Sequence, residues 1–174
     1  RGVAGARAAG GVIAASRCRA PSVAPFPRGN EPLEQVRTCA GRGAGAVSVV
    51  ADTPRFGRTL DAVVAVRETV DLPVIVTDFV IAPLQVRAAW AAGADAILLI
   101  ARIADGALLA ELHAAASELG LDALVECHDD DDLDKAHLLG APLVGINSRD
   151  LDTLEMSADG MDRMIARKSE GCLM

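Results

Sequence analysis

Short runs rich in valine and isoleucine alternate with longer amphipathic stretches six times along this chain. The apolar runs are Gly11–Ala15, Ala46–Ala51, Pro73–Asp78, Ala96–Ala101, Ala123–Cys127 and Leu143–Asn147. Short runs that are apolar on both faces are typical of parallel strands covered by helices. The amphipathic stretches predict helices at Glu31–Arg42, Leu60–Val70, Pro83–Ala92, Gly106–Leu119, Asp130–Leu139 and Ala158–Lys168. The pattern therefore predicts a series of βα units with a parallel sheet.

Residues suited to helix ends support these boundaries. Gly93, Gly120 and Gly140 each follow an apolar helical pattern, where a residue that tolerates positive φ can close the last turn. Thr59 and Asp105 precede helical patterns and are predicted to be N-caps. The glycine-rich stretch 41–46 precedes a strand, whereas a dinucleotide-binding loop follows one. This stretch is therefore predicted to be a helix-to-strand turn.

Composition and charge narrow the class of protein. The chain has 174 residues, of which 51% are hydrophobic, and this predicts a single domain over residues 1–174. The formal net charge of −7 argues against nucleic acid, because binding to phosphates requires clustered Lys and Arg. The four cysteines are widely spread with no CxxC pair, which indicates reduced thiols and a cytoplasmic protein. No apolar run approaches the roughly 20 residues that span a bilayer, so no membrane partner is predicted.

An acidic run at 129–132, together with Asp134, lies beside His128 and suggests a metal site as one interpretation. Acids at the start of a helix also interact favourably with its dipole and face water, and we prefer that interpretation. No metal ion is therefore predicted. His113 and His137 are interpreted as ordinary helix residues, and Trp90 as a packing contact between its helix and the sheet.

The βα pattern alone allows either a doubly wound open sheet or an incomplete barrel. Four segments favour the barrel: 72–86 (LPVIVTDFVIAPLQV), 92–101 (AGADAILLIA), 120–128 (GLDALVECH) and 145–151 (GINSRDL). In content, order and spacing they resemble the indole-3-glycerol phosphate synthase family. Shorter matches at 12–14, 21–22 and 46–49 extend the resemblance over roughly residues 12–165. It implies a TIM (β/α)8-barrel fold, of which this chain holds about six βα units as an incomplete barrel.

The resemblance implies a phosphorylated, anthranilate-derived sugar substrate, whose pyrrole ring is closed with loss of carbon dioxide and water. It implies no metal and no organic cofactor. Glu126, at the end of the fifth strand, matches a catalytic glutamate of the family. Asn147 matches a residue that contacts the substrate, and Arg149 one that lies near the phosphate. Phe79 and Ser22 match further substrate-binding positions.

Other positions depart from the family's pattern. Its first strand continues into Glu-x-Lys, where this chain has Ala15 and Arg17. Arg17 is a candidate for holding the phosphate but is too basic to act as an acid near neutral pH. The third strand of the family ends in Lys-Asp-Phe, where this chain begins with Thr77 instead of the lysine that serves as general acid. The family's seventh and eighth strands find no match, so the sheet is expected to be open.

Three functional interpretations follow. The first is a synthase of tryptophan biosynthesis. The second is a catalytically degenerate paralogue or fragment that keeps the scaffold or weak binding of a phosphorylated ligand. The third is a neighbouring phosphosugar barrel activity, such as an isomerase. The expected partners are the anthranilate-derived sugar phosphate and, through the open edges of the barrel, further copies of the chain.

Overall fold

The structure, a computed structural model, describes residues 12–16, 32–51, 59–149, 158–169 and 172. Its strands are β1 (Ile13–Ser16), β2 (Ala46–Val50), β3 (Val74–Thr77), β4 (Ala96–Ile100), β5 (Asp122–Cys127) and β6 (Leu143–Ile146). Its helices are α1 (Pro32–Gly41), α2 (Asp61–Thr69), α3 (Pro83–Ala91), α4 (Gly106–Glu118), α5 (Asp130–Leu139) and α6 (Ala158–Ala166). A 3-10 turn, Ala101–Ile103, follows β4. The predicted strands and helices are confirmed, with ends that differ by at most two residues.

The six strands form one parallel sheet, and their order in the sheet is their order along the chain. The register places Val49 beside Val76, and Glu126 beside Gly145. Right-handed crossovers between sequential neighbours put the connecting helices on one face, whereas a doubly wound sheet reverses direction and has helices on both faces. The sheet therefore curls toward a barrel, and the predicted incomplete barrel of six βα units is confirmed.

The outer face of the sheet and the helices form the main core. Buried residues of the strands include Val47, Val49, Val76, Leu99 and Val125. The helices contribute Val63, Val66, Leu109, Leu112 and Leu133. Burial of a side chain of this kind stabilises a fold by about 1.5–3 kcal/mol, so this layer supplies much of the stability. The inner face carries a smaller buried cluster near the amino ends of the strands, made of Ala46, Ile75 and Ala96.

The predicted helix stops are confirmed by backbone conformation. Gly93, Gly120 and Gly140 have φ values of 90°, 72° and 68°, in the left-handed region that glycine adopts without strain. At Gly93 the missing side chain matters as well, because a Cβ there would lie 3.2 Å from Cγ of Arg67. The 41–46 stretch joins the end of α1 to the start of β2, as a helix-to-strand turn should.

Both predicted N-cap residues accept a hydrogen bond from a backbone N–H at the start of the helix that they precede. Asp105 caps α4, and its Oδ1 accepts a hydrogen bond from the backbone N–H of Leu108 at 2.8 Å. The hydroxyl of Thr59 accepts from the N–H of Asp61 at 3.3 Å, two residues on, which is a contact that an N-cap makes. Leu60, between them, has helical φ and ψ of −59° and −19° and makes no side-chain cap hydrogen bond, whereas a capping residue has non-helical angles.

The interpretation of Trp90 as a sheet-packing residue is wrong, because the residue is 51% exposed. The positions of α3 that face the sheet are Val86 and Ala89, which are both buried. Successive residues of a helix are rotated by about 100°, so Trp90 follows Ala89 out of the interface.

Candidate active site

A cavity of about 350 Å³ lies on the inner face of the sheet. Strands β1 to β5 line it with side chains two residues apart, because alternate residues of a strand share a face. The polar part of the lining consists of Ser48, Thr77, Asp78, Glu126 and Asn147. The apolar part consists of Ile13, Ala15, Val50, Ile75, Phe79, Leu98, Ile100 and Leu124. The polar groups lie toward the carboxyl ends of the strands, which is where barrel enzymes carry their reactive residues.

Glu126 directs its carboxylate into this cavity from the carboxyl-terminal half of β5, and its side chain is 21% exposed. Its neighbour on β6 is Gly145, which adds no side chain beside it. Asn147 follows β6, and its backbone N–H donates to the carbonyl of Cys127 at 3.0 Å. This bond sets the amide of Asn147 so that Nδ2 donates to Oε1 of Glu126 at 3.3 Å. The fold thus brings Glu126 and Asn147 together, although they are 21 residues apart in sequence.

His128 lies two residues beyond Glu126, and its side chain is fully buried. Nε2 lies 3.2 Å from Oε1 of Glu126, and Nδ1 lies 3.7 Å from Oδ2 of Asp132. Within the described part of the chain neither nitrogen has an aligned hydrogen bond, so the two contacts are mainly electrostatic. Burial lowers the pKa of His128, but the carboxylates of Asp132 and Glu126 raise it more, to about 9. The ring is therefore an imidazolium between two carboxylates at neutral pH.

Asp132 is 2% exposed, so the expectation that the acidic run faces water is wrong at this position. Its Oδ2 accepts from the N–H of His128 at 3.1 Å, and its Oδ1 accepts from Nζ of Lys135 at 3.3 Å. Nε of Arg102 lies 3.5 Å from Oδ2. Burial raises the pKa of Asp132, but these partners, led by His128, lower it more, and the net shift is downward. Asp129 is the N-cap of α5, which turns Asp132 toward the sheet.

Two residues that the sequence resemblance identified as departures from the family's pattern, Ala15 and Thr77, both line the cavity. Ala15 has a methyl side chain, which carries no proton to transfer. Oγ1 of Thr77 lies 3.3 Å from Oγ of Ser48. Phe79, two residues beyond Thr77, lines the same side. None of the lining residues that the structure describes is a lysine, an arginine or a histidine.

The candidate phosphate-binding residues are not all brought to the cavity. Arg149 lies two residues beyond Asn147, is exposed, and donates its backbone N–H to Oδ1 of Asn147 at 3.1 Å. It is absent from the lining of the cavity as described. Arg17 and Ser22, the other two candidates, lie outside the described residues.

The described residues contain neither a metal-binding cluster nor a membrane-spanning helix. No group of three or more His, Cys, Asp or Glu side chains in this part of the chain could hold a metal ion. None of the helices that the structure describes is long and apolar enough to cross a membrane.

Sequence reasoning missed three polar residues of the site. Ser48 interrupts an apolar strand, and the alternation of inner and outer positions could have placed it beside Thr77. His128 is two residues beyond Glu126, so period-two spacing could have paired them. Asp132 gave no such signal, because it is one of several neighbouring aspartates and only the packing of α5 distinguishes it.

The sheet order and the polar groups at the strand ends define a protein of the (β/α)-barrel class. The fold is similar to that of a solved N-acetylmannosamine-6-phosphate 2-epimerase from Clostridium perfringens, with a TM-score of 0.60 over 78% of this chain and 60% of that chain. The two sequences are 16% identical, so this similarity concerns the fold alone.

The family model for indole-3-glycerol phosphate synthase matches residues 3–173, and the chain belongs to that family. It is similar to proteins of this name from Nocardioides sp. (45% identity over 159 residues, 91% of this chain and 61% of that protein) and Laribacter hongkongensis (42% over 149 residues, 86% and 57%). It is also 36% identical to the Staphylococcus haemolyticus protein over 162 residues, which are 93% of this chain and 62% of that protein. The chain spans about three fifths of the length of these relatives.

Proposed function

We propose that this chain acts as an indole-3-glycerol phosphate synthase of tryptophan biosynthesis, on a carboxyphenylamino-deoxyribulose phosphate held in the cavity. The observation that carries the proposal is the contact of Glu126 with Asn147 at 3.3 Å, inside a cavity at the carboxyl ends of parallel strands. The chain belongs to the indole-3-glycerol phosphate synthase family, and the sequence resemblance implies functional roles for both residues. The apolar lining, which includes Phe79 and Ile100, suits the aromatic ring of such a substrate.

The reaction joins the ring carbon that bears the carboxylate to the carbonyl carbon of the sugar chain. The carbonyl oxygen takes up a proton, carbon dioxide leaves the ring, and the new hydroxyl departs as water when a neighbouring proton is removed. Glu126 is the carboxylate in the cavity that is suited to proton movement in the dehydration step. Asn147 keeps that carboxylate in place through Oε1. In this proposal Arg149, Arg17 and Ser22 contact the phosphate, and Phe79 contacts the aromatic part of the substrate.

The rate of this chain should be far below that of relatives with the family's full set of catalytic groups. A general acid typically contributes about 10²–10⁴ to the rate, and a hydroxyl replaces the ammonium group at Thr77. Ala15 removes a second proton-transferring group. These two positions favour a second candidate function, in which the cavity binds a phosphorylated ligand without converting it.

Turnover of the purified chain separates the two candidates. The natural substrate is supplied, and the indole product is followed by its fluorescence. We expect slow turnover that Glu126→Gln reduces at least tenfold, while Glu118→Gln, a change of an exposed carboxylate on α4, leaves it unchanged. Turnover that survives Glu126→Gln would contradict the assignment of Glu126. Binding of a reduced substrate analogue by calorimetry, with no turnover, would support the second candidate.

A cytoplasmic location is part of the same proposal. Cys39 and Cys127 are free thiols, as expected in a reducing compartment. Burial, followed by nearby carboxylates such as Asp132, raises the pKa of Cys127 to about 12, so this thiol is a packing group and not a nucleophile.

A further inference from the structure

The carboxylate of Glu126 is held through one oxygen. Oε1 accepts from Nδ2 of Asn147 at 3.3 Å and lies 3.2 Å from Nε2 of His128. Among the residues that the structure describes, both contacts of this side chain are made to Oε1. One hydrogen bond and one electrostatic contact on the same oxygen restrict rotation of the carboxylate, and they leave Oε2 as the oxygen available to a ligand in the cavity.

His128 is itself held from the side away from Glu126. Its backbone N–H donates to Oδ2 of Asp132 at 3.1 Å, and its Nδ1 lies 3.7 Å from the same oxygen. Asp132 is buried and is fixed in turn by Lys135 and Arg102. A buried carboxylate beside a buried ring favours the imidazolium form, since each charge offsets the cost of burying the other. These contacts connect Asp132, near the N-terminus of α5, through His128 to Glu126 in the cavity.

We propose that His128 and Asp132 are positioning residues for Glu126, which fix its Oε1 and direct its Oε2 toward the substrate. The inference deepens the proposed function, and its catalytic consequence rests on that function. It gives a role to His128 and Asp132, for which the family resemblance implied none. Asp132 orients the ring and maintains its charge, and the ring in turn orients the carboxylate.

A purely structural histidine is the alternative, and it makes different predictions. Such a ring would fill space in the core, and its protonation would not depend on Glu126. A positioning ring is coupled to Glu126, so that a change at Glu126 alters the titration of His128. The charged groups around the ring on β5 and α5 are Glu126, Asp129, Asp132 and Lys135, and Arg102 follows β4. Only Glu126 among these reaches into the cavity.

Nitrogen-15 NMR of the histidine-labelled full chain tests the coupling directly. The chain contains three histidines, and His128→Gln identifies the resonance of His128. We expect an imidazolium signal at pH 7.5 with a midpoint near 9. Glu126→Gln and Asp132→Asn should each lower that midpoint by about 1 to 2, because each removes an opposite charge within about 6 Å. The midpoint of His113, on α4, should not move and serves as an internal control.

If His128 titrates near 6.5 and its midpoint is unaffected by Glu126→Gln, the proposal is wrong. Circular dichroism shows whether each variant is folded, and Glu126→Gln is the decisive one, because it is isosteric and changes a group at the cavity surface.

The pH dependence of stability provides a second test, which needs no substrate. The pKa of His128 in the folded chain, about 9, lies above its ordinary value near 6.5. Its contribution to stability is therefore fully present below pH 6.5 and is lost as the pH rises through 9. The melting temperature should fall across this window in the unmodified chain, and by less in His128→Gln. A melting temperature with the same slope in both chains would contradict the coupling.

The turnover assay separates failure of this inference from failure of the proposed function. Where turnover is measured, His128→Gln should lower kcat about tenfold with little change in KM, because binding contacts remain while the carboxylate is less well aligned. An unchanged kcat would overturn the positioning role. If the chain shows no turnover at all, the proposed function fails, and the NMR titrations still decide whether His128 and Asp132 position Glu126.

Discussion

Thr77 is the residue whose chemistry most limits this site. It lies at the carboxyl end of β3, lines the cavity, and contacts the hydroxyl of Ser48. Both hydroxyl groups are neutral near pH 7, so neither replaces the ammonium group that would protonate the carbonyl in the proposed reaction. The cavity of about 350 Å³ leaves room for a longer side chain at this position.

Thr77→Lys should raise turnover at least tenfold over the unmodified chain, since a correctly placed general acid contributes about 10²–10⁴. The measurement is the fluorescence assay with the natural substrate. Thr77→Met is the matched control, because it has similar length and no charge, and it should give no gain. An equal gain from both variants would mean that side-chain length, and not the ammonium group, limits the rate.

At the scale of elements, the helix ends show how local chemistry sets the boundaries of the βα units. Asp105 is the clearest case, with its carboxylate 2.8 Å from the N–H of Leu108 in the first turn of α4. Helix α4 buries Leu109, Leu112 and Ala116 against the sheet, so fraying of its first turn would loosen the packing behind β4 and β5.

Asp105→Ala should lower the free energy of unfolding by about 1 kcal/mol, because the N–H of Leu108 loses its acceptor. For a chain of this length that corresponds to a melting temperature lower by roughly 2–4 °C. Glu111→Ala is the control, since Glu111 is exposed in the middle of the same helix and caps nothing. Thermal unfolding followed by circular dichroism compares the two, and equal losses would show that Asp105 does not act as a cap.

At the scale of the whole molecule, we expect the two edge strands of the described sheet to govern association in solution. Among the described residues, β1 pairs only with β2, and β6 pairs only with β5. Val12 and Ile13, at the β1 edge, are 70% and 44% exposed. A strand edge with free backbone groups beside exposed apolar side chains is a recognised route to association.

We expect the purified chain to self-associate, with an apparent mass that rises with concentration in light scattering. Replacement of Ile13 by lysine should shift the equilibrium toward the monomer, since a charge on an edge strand opposes pairing. Leu84→Lys, at an exposed apolar residue of α3 between the central strands β3 and β4, is the control and should change little. A monomer at every concentration would mean that the edges are covered in another way.

Much of the fold was predictable from the sequence, because the patterns that indicate each strand or helix lie within that element. The strand runs, the glycine stops and the Asp105 cap depend on residues within one element, and the structure agrees with them to within two residues. The prediction for Trp90 failed for a local reason too, since a shift of one residue on a helix changes the face on which a side chain lies. The choice of barrel over doubly wound sheet depended on the family resemblance, because both folds share the same βα pattern.

By itself, the sequence determined the βα series and the family, and it identified Glu126 and Asn147 as candidate site residues. Each of these predictions depends on short segments whose residues are adjacent in the chain. Only the tertiary structure decided which of these groups meet. The contact of Glu126 with Asn147 depends on the register of β5 and β6. The burial of Asp132, alone among four consecutive aspartates, depends on how α5 packs against the sheet. Charge and reactivity at such a site depend on distance and burial, and neither follows from the order of residues along the chain.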